Sequence, residues 1–317
     1  MNRIKRVLIF GGEGFIGSHY RRYLQDTQKY IVKSFDIKSG SDFIDVRNKI
    51  SIKYKFSSSD IIINLAAVHT TPGHPDHEYF ETNIKGAKNV CQFADLVGIN
   101  NIIFTSSIAP YGASEEEKTE ETLPTPNTPY GISKLVAEEI HKTWAAKDPN
   151  RKLLILRPGV VFGKGENGNF TRLASAISKG LFFYPGRKDT IKANIYVKEL
   201  VHQSWQLFND MDFKVETFNC AYYPSLTIEE IAQQIAIQLD KKSPRLVIPG
   251  FFLKTIAQIF KILGLGKIGI HPERVKKLMT STNISGKKLR NSISGYKYTF
   301  KEALEDWYED CSKLGLY

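Results

Sequence analysis

The stretch Arg6-Val7-Leu8-Ile9-Phe10-Gly11-Gly12-Glu13-Gly14-Phe15-Ile16-Gly17 decides the fold class. Its first half is a short apolar run of strand character, and the glycines that follow lead into a segment of helical period. Strand, glycine turn and helix in that order are the setting in which a glycine motif cradles phosphate. Gly11 supplies the tight turn, Gly14 removes a side chain where backbone approaches a pyrophosphate, and Gly17 lets the helix close on the strand. Phe15 and Ile16 open the helix, whose first N–H groups and positive dipole end suit an anion. Asp36 lies 19 residues beyond Gly17, at the end of the next apolar run. A carboxylate there accepts from the adenosine ribose hydroxyls and repels a 2′-phosphate, so NAD is expected rather than NADP.

Working outward, the runs Ile31–Asp36, 61–66, 101–106 and 153–158 read as strands buried on both faces. The segments 16–25, 79–97 and Pro129–Ala146 carry helical period between them, and Gly98 is placed to end the second. The alternation predicts an α/β fold: a Rossmann-type, doubly wound parallel sheet with a smaller C-terminal substrate-binding domain. We place the NAD-binding domain at 1–165 and the substrate domain at 166–317, because glycines and Pro185 break the alternation after Gly163. Segments near 190–222 are candidates to return to the large sheet. The acidic run 115–121 reads as a solvated surface loop.

Composition narrows the classes. The 317 residues are 42% hydrophobic and 24% charged, which excludes disordered, collagen-like and disulfide-scaffold proteins. Cys91, Cys220 and Cys311 are far apart and show no paired-ligand spacing, arguing for a reducing compartment and against a structural zinc. The histidines of the 69–78 segment sit in a Pro/Gly-rich loop without fixed ligand geometry, so no metal is expected. The apolar run at the N-terminus is too short for a signal peptide, and no stretch is long enough to span a membrane. A net charge of +11 calls for an anionic partner. Lysines and arginines are dispersed and no nucleic-acid motif is present, so nucleic acid is not the expected one.

Tyr130 and Lys134 lie four residues apart just after Pro129, on one face of the expected helix. An ammonium beside a phenol favours the phenolate, which could then serve as a general base. Thr105-Ser106-Ser107 ends the fourth strand at the carboxyl edge of the sheet, where open α/β folds bind ligands.

With GGEGFIG at 11–17, Asn64-Leu65-Ala66-Ala67, IIFTSSIAPYG at 102–112, YGISK at 130–134 and LRPGVVFG at 156–163, the chain resembles the extended short-chain dehydrogenase/reductases, in the NAD-dependent sugar epimerase/dehydratase branch. The resemblance covers essentially the whole length. It implies Tyr130 as acid/base, Lys134 on the nicotinamide ribose and Ser107 as the active-site hydroxyl. It further implies that Asp45 and Val46 meet the adenine, and that Leu65, Ala66, Ala67, Asn83 and Thr105 lie along the cofactor. Pro158 would start the loop beneath the nicotinamide. Lys192 and Arg274 would hold the substrate diphosphate, and relatives commonly form homodimers.

In dehydratase members a carboxylate follows the active-site hydroxyl, whereas Ile108-Ala109-Pro110 follows Ser107 here. The resemblance therefore implies chemistry at one carbon: 4-epimerisation of a diphosphate-linked sugar by reversible oxidation. A dehydrogenase or reductase of a keto-sugar or steroid-like alcohol is the alternative. Segment 251–265 has an apolar face edged by lysines. It is open between a core helix of the substrate domain and an interfacial helix touching an anionic membrane. The pattern is also similar to bacterial epimerases acting on N-acetylglucosamine linked by diphosphate to undecaprenol. The expected location is cytoplasmic, at the inner membrane face under the interfacial reading.

Overall fold

Val7, Leu8, Ile9 and Phe10 are all 0% exposed, as their unbroken apolar run requires of a strand covered on both faces. A computed structural model describes residues 4–70, 73–253 and 279–316. The chain begins β1 (Arg6–Phe10), α1 (Phe15–Asp26), β2 (Ile31–Asp36), β3 (Asp42–Phe43), β4 (Ile61–Asn64) and α2 (Asp76–Tyr79). A π-helical turn (Phe80–Lys85), α3 (Gly86–Val97), β5 (Asn101–Thr105), β6 (Ser114–Lys118), α4 (Pro129–Ala146) and β7 (Lys152–Pro158) follow. Then come β8 (Val160–Phe162), α5 (Asn169–Ser178), β9 (Tyr184–Pro185), β10 (Asn194–Tyr196), α6 (Val197–Asp210) and β11 (Val215–Cys220). The last elements are α7 (Ile228–Gln238), β12 (Val247–Ile248), β13 (Thr282–Ile284) and the helices Lys287–Ser292 and Phe300–Asp310.

Two units divide the chain. The first comprises 1–112, 122–158 and 200–220 and holds a seven-stranded sheet in the order β11-β7-β5-β4-β1-β2-β3. The pairs β1–β2, β1–β4, β4–β5, β5–β7 and β11–β7 are all parallel. Strand order reverses between β1 and β4, and that switch point opens the crevice in which such sheets bind ligands. Gly98, at φ +72°, ends α3 in the left-handed region that an L side chain resists. The helix expected over 79–97 is interrupted by the π-helical turn, a local irregularity that apolar periodicity does not reveal.

The second unit comprises 113–121, 159–199 and 221–317. Its strands pair in twos, β10–β8, β12–β9 and β13–β6, all parallel. Phe162 is central to an aromatic core, with Phe170 stacked at 4.5 Å and Phe300 and Trp307 within 6 Å. The acidic run is not a free loop. Residues 114–118 form β6, and the Glu115 carboxylate accepts from Ser281 N at 3.0 Å and Oγ at 2.8 Å. Those bonds and the Arg187 guanidinium hold it down to about 2. Of segment 251–265 the described part is 251–253: Phe251 and Phe252 are exposed, while Leu253 packs on Phe183, Ile248 and Met279. Whether the remainder is a core or an interfacial helix lies outside the described residues.

Candidate active site

The glycine turn is built by close approach. Gly11 has φ +82°, and a Cβ on it would lie 2.8 Å from the amide nitrogen of Ala66. A Cβ on Gly17 would lie 2.3 Å from the carbonyl oxygen of Gly11, so α1 starts against the turn only because both are glycine. Gly14 is the N-cap of α1 and offers no side chain to the first-turn N–H groups of Phe15, Ile16 and Gly17. Those donors and the helix dipole make an anion cradle that a side chain would fill. Asp36 accepts from Glu13 N at 3.0 Å and Lys38 N at 3.1 Å, one bond to each oxygen. Further lone pairs are left for ribose hydroxyls. Thr105 Oγ1 is buried without a hydrogen-bond partner at the strand end. An uncapped helix start, a carboxylate at the second strand end and an orphaned hydroxyl fit a dinucleotide.

The other residues expected along the cofactor are held as follows. Leu65 N donates to Phe10 O at 2.9 Å, carrying Ala66 and Ala67 past the turn. Asn83 clamps the next residue: its Oδ1 accepts from Val68 N at 2.9 Å and its Nδ2 donates to Val68 O at 3.0 Å and Ser133 Oγ at 2.8 Å. Its polar atoms are thus committed to protein, and it shapes the loop. Asp45 forms a bidentate pair with Arg47, at 2.7 and 2.9 Å, which lowers its carboxyl. Val46 is buried beside Gly86, where a Cβ would come within 2.8 Å of it. Pro158 ends β7, and its carbonyl accepts from Ile108 N at 3.2 Å.

Thr128 caps α4 by accepting from Gly131 N at 3.0 Å, and Pro129 occupies the first turn, where its missing N–H costs nothing. That start sets Tyr130 and Lys134 on the face turned to the sheet. Tyr130 interacts with Ser107, whose Oγ accepts from Ala109 N at 3.1 Å. Tyr130 and Lys134 thus share the helix that their spacing predicts, and Ser107, named by the family resemblance, lies near Tyr130. The expected lowering of the phenol by the ammonium is not found. Burial pushes Tyr130 up, with only the Ser107 bond opposing. Lys134 instead donates to Thr105 O at 2.6 Å over the face of Phe104, and burial brings its ammonium down to about 7.

The expected diphosphate contacts fare differently. Lys192, in the second unit, donates to Thr280 O at 2.7 Å and is brought down to about 8 by burial. Arg274 lies outside the described residues. Sequence reasoning missed Glu138 and Arg157, buried at 0% and 4% exposure and paired beneath Lys134. The available signal was a carboxylate four residues beyond Lys134 on its face, opposite an arginine inside an otherwise apolar strand.

Residues 7–221 match the model of the NAD dependent epimerase/dehydratase family. An N-acetyl-alpha-D-glucosaminyl-diphospho-ditrans,octacis-undecaprenol 4-epimerase of Escherichia coli O157:H7 is 30% identical, covering 94% of this chain and 93% of its own. A UDP-glucose 4-epimerase of Vibrio cholerae is 25% identical over 81% of this chain and 82% of its own. The solved UDP-N-acetylglucosamine 4-epimerase from Bacillus cereus shares the fold at a TM-score of 0.74 and 21% identity, covering 97% of this chain and 99% of its own. MoeE5, solved with UDP-glucuronic acid and NAD, shares it at 0.73 and 19%, over 97% and 99%. With a matching family model across most of its length and the glycine cradle in place, the chain belongs to the NAD dependent epimerase/dehydratase family.

Proposed function

We propose that this protein is a 4-epimerase of a diphosphate-linked sugar, with an N-acetylhexosamine on a polyprenyl diphosphate or on UDP as substrate. The observation that carries the reading is that Lys134 donates to Thr105 O at the carboxyl end of β5 while Ser107, two residues on, interacts with Tyr130. Bound NAD supplies a hydride acceptor that can return the hydride. Tyr130 takes the C4 hydroxyl proton and gives it back, Ser107 orients that hydroxyl, and Lys134, held on the Thr105 carbonyl, would donate to the nicotinamide ribose. Ile108 and the helical turn Ala109–Tyr111 put no carboxylate next to Ser107, which speaks against elimination of water. The relative of 30% identity over nearly the whole chain makes the undecaprenol-linked N-acetylglucosamine the first substrate to try. Contact with a membrane surface through the side bearing Phe251 and Phe252 accords with that carrier.

An enzyme that oxidises and reduces in one turnover must keep its cofactor through both halves. Protein purified without added cofactor is expected to release near-stoichiometric NAD on denaturation. Tyr130→Phe is expected to retain that NAD while losing at least about 100-fold in kcat, the range of a general acid/base. Turnover of neither carrier-linked sugar by wild type, or full activity in Tyr130→Phe, would overturn the reading.

A further inference from the structure

Beneath the proposed catalytic trio lies an ion pair whose cost the fold must justify. Glu138 is 0% exposed and Arg157 4% exposed. Arg157 Nε donates to Glu138 Oε1 at 2.9 Å and Nη2 to Oε2 at 2.6 Å, a two-pronged bond. Ser106 Oγ donates to the same Oε1 at 2.5 Å. The other Arg157 prong donates to the Tyr111 hydroxyl at 2.5 Å, and that hydroxyl donates to Asn219 Oδ1 at 3.0 Å. One network thus ties α4, the end of β5, the turn after it, β7 and β11. Desolvating such a pair commonly cancels its attraction, so stability alone explains it poorly.

Its location supplies a better reason. Glu138 lies one helical turn beyond Lys134 and two beyond Tyr130, on the same face of α4. Ser106, which it holds, stands between Thr105, whose carbonyl takes the Lys134 ammonium, and Ser107, which interacts with Tyr130. We infer that Glu138, locked by Arg157, is a positioning residue that sets a carboxylate one turn from Lys134 and fixes residues 105–107 against α4. The inference rests on the catalytic roles proposed above for Ser107, Tyr130 and Lys134.

The charges around Lys134 decide the sign. Glu138 favours the ammonium, while burial disfavours it. His141, one turn beyond Ala137 on α4, and His69, after β4, both interact with Lys134. Burial brings His141 down to about 4, so near neutral pH it carries little opposing charge, and His69 is lowered as well. β5 contributes the Thr105 carbonyl and the Phe104 ring, and β7 contributes the Arg157 guanidinium, paired with Glu138.

The test begins without substrate. In protein carrying 13C-labelled lysine, the Cε signal of Lys134, assigned by its loss in Lys134→Arg, is followed against pH. Wild type is expected to titrate near about 7, and Glu138→Gln at a value lower by at least about half a pH unit, since an anion one turn away is lost. The double variant Glu138→Gln/Arg157→Met removes the pair without stranding a buried charge and guards against misfolding. It is expected to melt within a few degrees of wild type yet show the lowered titration and at least about a tenfold fall in kcat with KM little changed. Glu138→Asp, which keeps the charge, is expected to restore the titration but not the full kcat. A folded double variant with wild-type titration and kcat would overturn the inference, as would an unchanged Lys134 titration in Glu138→Gln. Either result leaves the reading of Tyr130 standing, because that reading is judged by Tyr130→Phe and by bound NAD.

Discussion

Gly17 shows how one missing side chain builds a binding site. A Cβ there would sit 2.3 Å from Gly11 O and 2.7 Å from Gly12 Cα, both backbone atoms that cannot swing aside. Gly17→Ala must therefore push α1 away from β1 and widen the anion cradle. The expected outcome is a loss of about 1–3 kcal/mol in stability, the usual cost of overpacking, together with loss of bound NAD. Thermal melting and cofactor release on denaturation check both. Lys134 is the converse case, a full-length side chain carried into the interior. Its ammonium is tolerated because Thr105 O accepts from it at 2.6 Å and the Phe104 face lies 4.7 Å away.

Elements act by holding loops as much as by filling the core. The π-helical turn Phe80–Lys85 carries Asn83, which is 3% exposed, and that side chain binds both backbone groups of Val68. The segment Leu65–Val68 is thereby fixed beside the Gly11 turn without any regular structure of its own. Asn83→Ala should leave the sheet intact while releasing this segment. We expect NAD to dissociate about ten times faster or more, with melting lowered by a few degrees, because the half-buried backbone groups of Val68 lose their partners. Stopped-flow displacement of the cofactor reads the first, calorimetry the second. Helix α4 works by its start: Thr128 and Pro129 fix where the helix begins, and so which face bears Tyr130, Lys134 and Glu138.

At the scale of the whole molecule the net charge is +11, and Phe251 and Phe252 are 75% and 59% exposed. Among the described residues no helix is long and apolar enough to cross a membrane. Association, if it serves a lipid-linked sugar, should be peripheral and electrostatic. The protein is expected to co-sediment with vesicles containing about 30% anionic lipid and to be released by salt, with binding reduced in Phe251→Ser/Phe252→Ser. Equal binding to neutral vesicles, or none to anionic ones, would remove the membrane from the account.

The sheet was legible because its signal is local: β1 and β2 have the predicted bounds, and α4 runs from Pro129 to Ala146 as read. Apolar runs, glycine turns and helix caps act within a few residues of the chain. The pairing of Tyr130 and Lys134 on one helix face was legible for the same reason, whereas Ser107 was named by the family resemblance. What the sequence left open depends on distant partners. The acidic run became β6 because Ser281, 166 residues from Glu115, captures that carboxylate. Lys134 turned to Thr105 and away from lowering Tyr130, because burial and a carbonyl 29 residues upstream outweigh the neighbour one turn back. Arg157 was invisible as the partner of Glu138 until β7 was laid beside β5 and α4 packed on them. Sequence alone therefore determined which elements form and where the cradle opens, through local sterics and hydrophobic period. Tertiary structure alone decided the charges at the centre, because desolvation and pairing depend on neighbours that only the finished fold brings together.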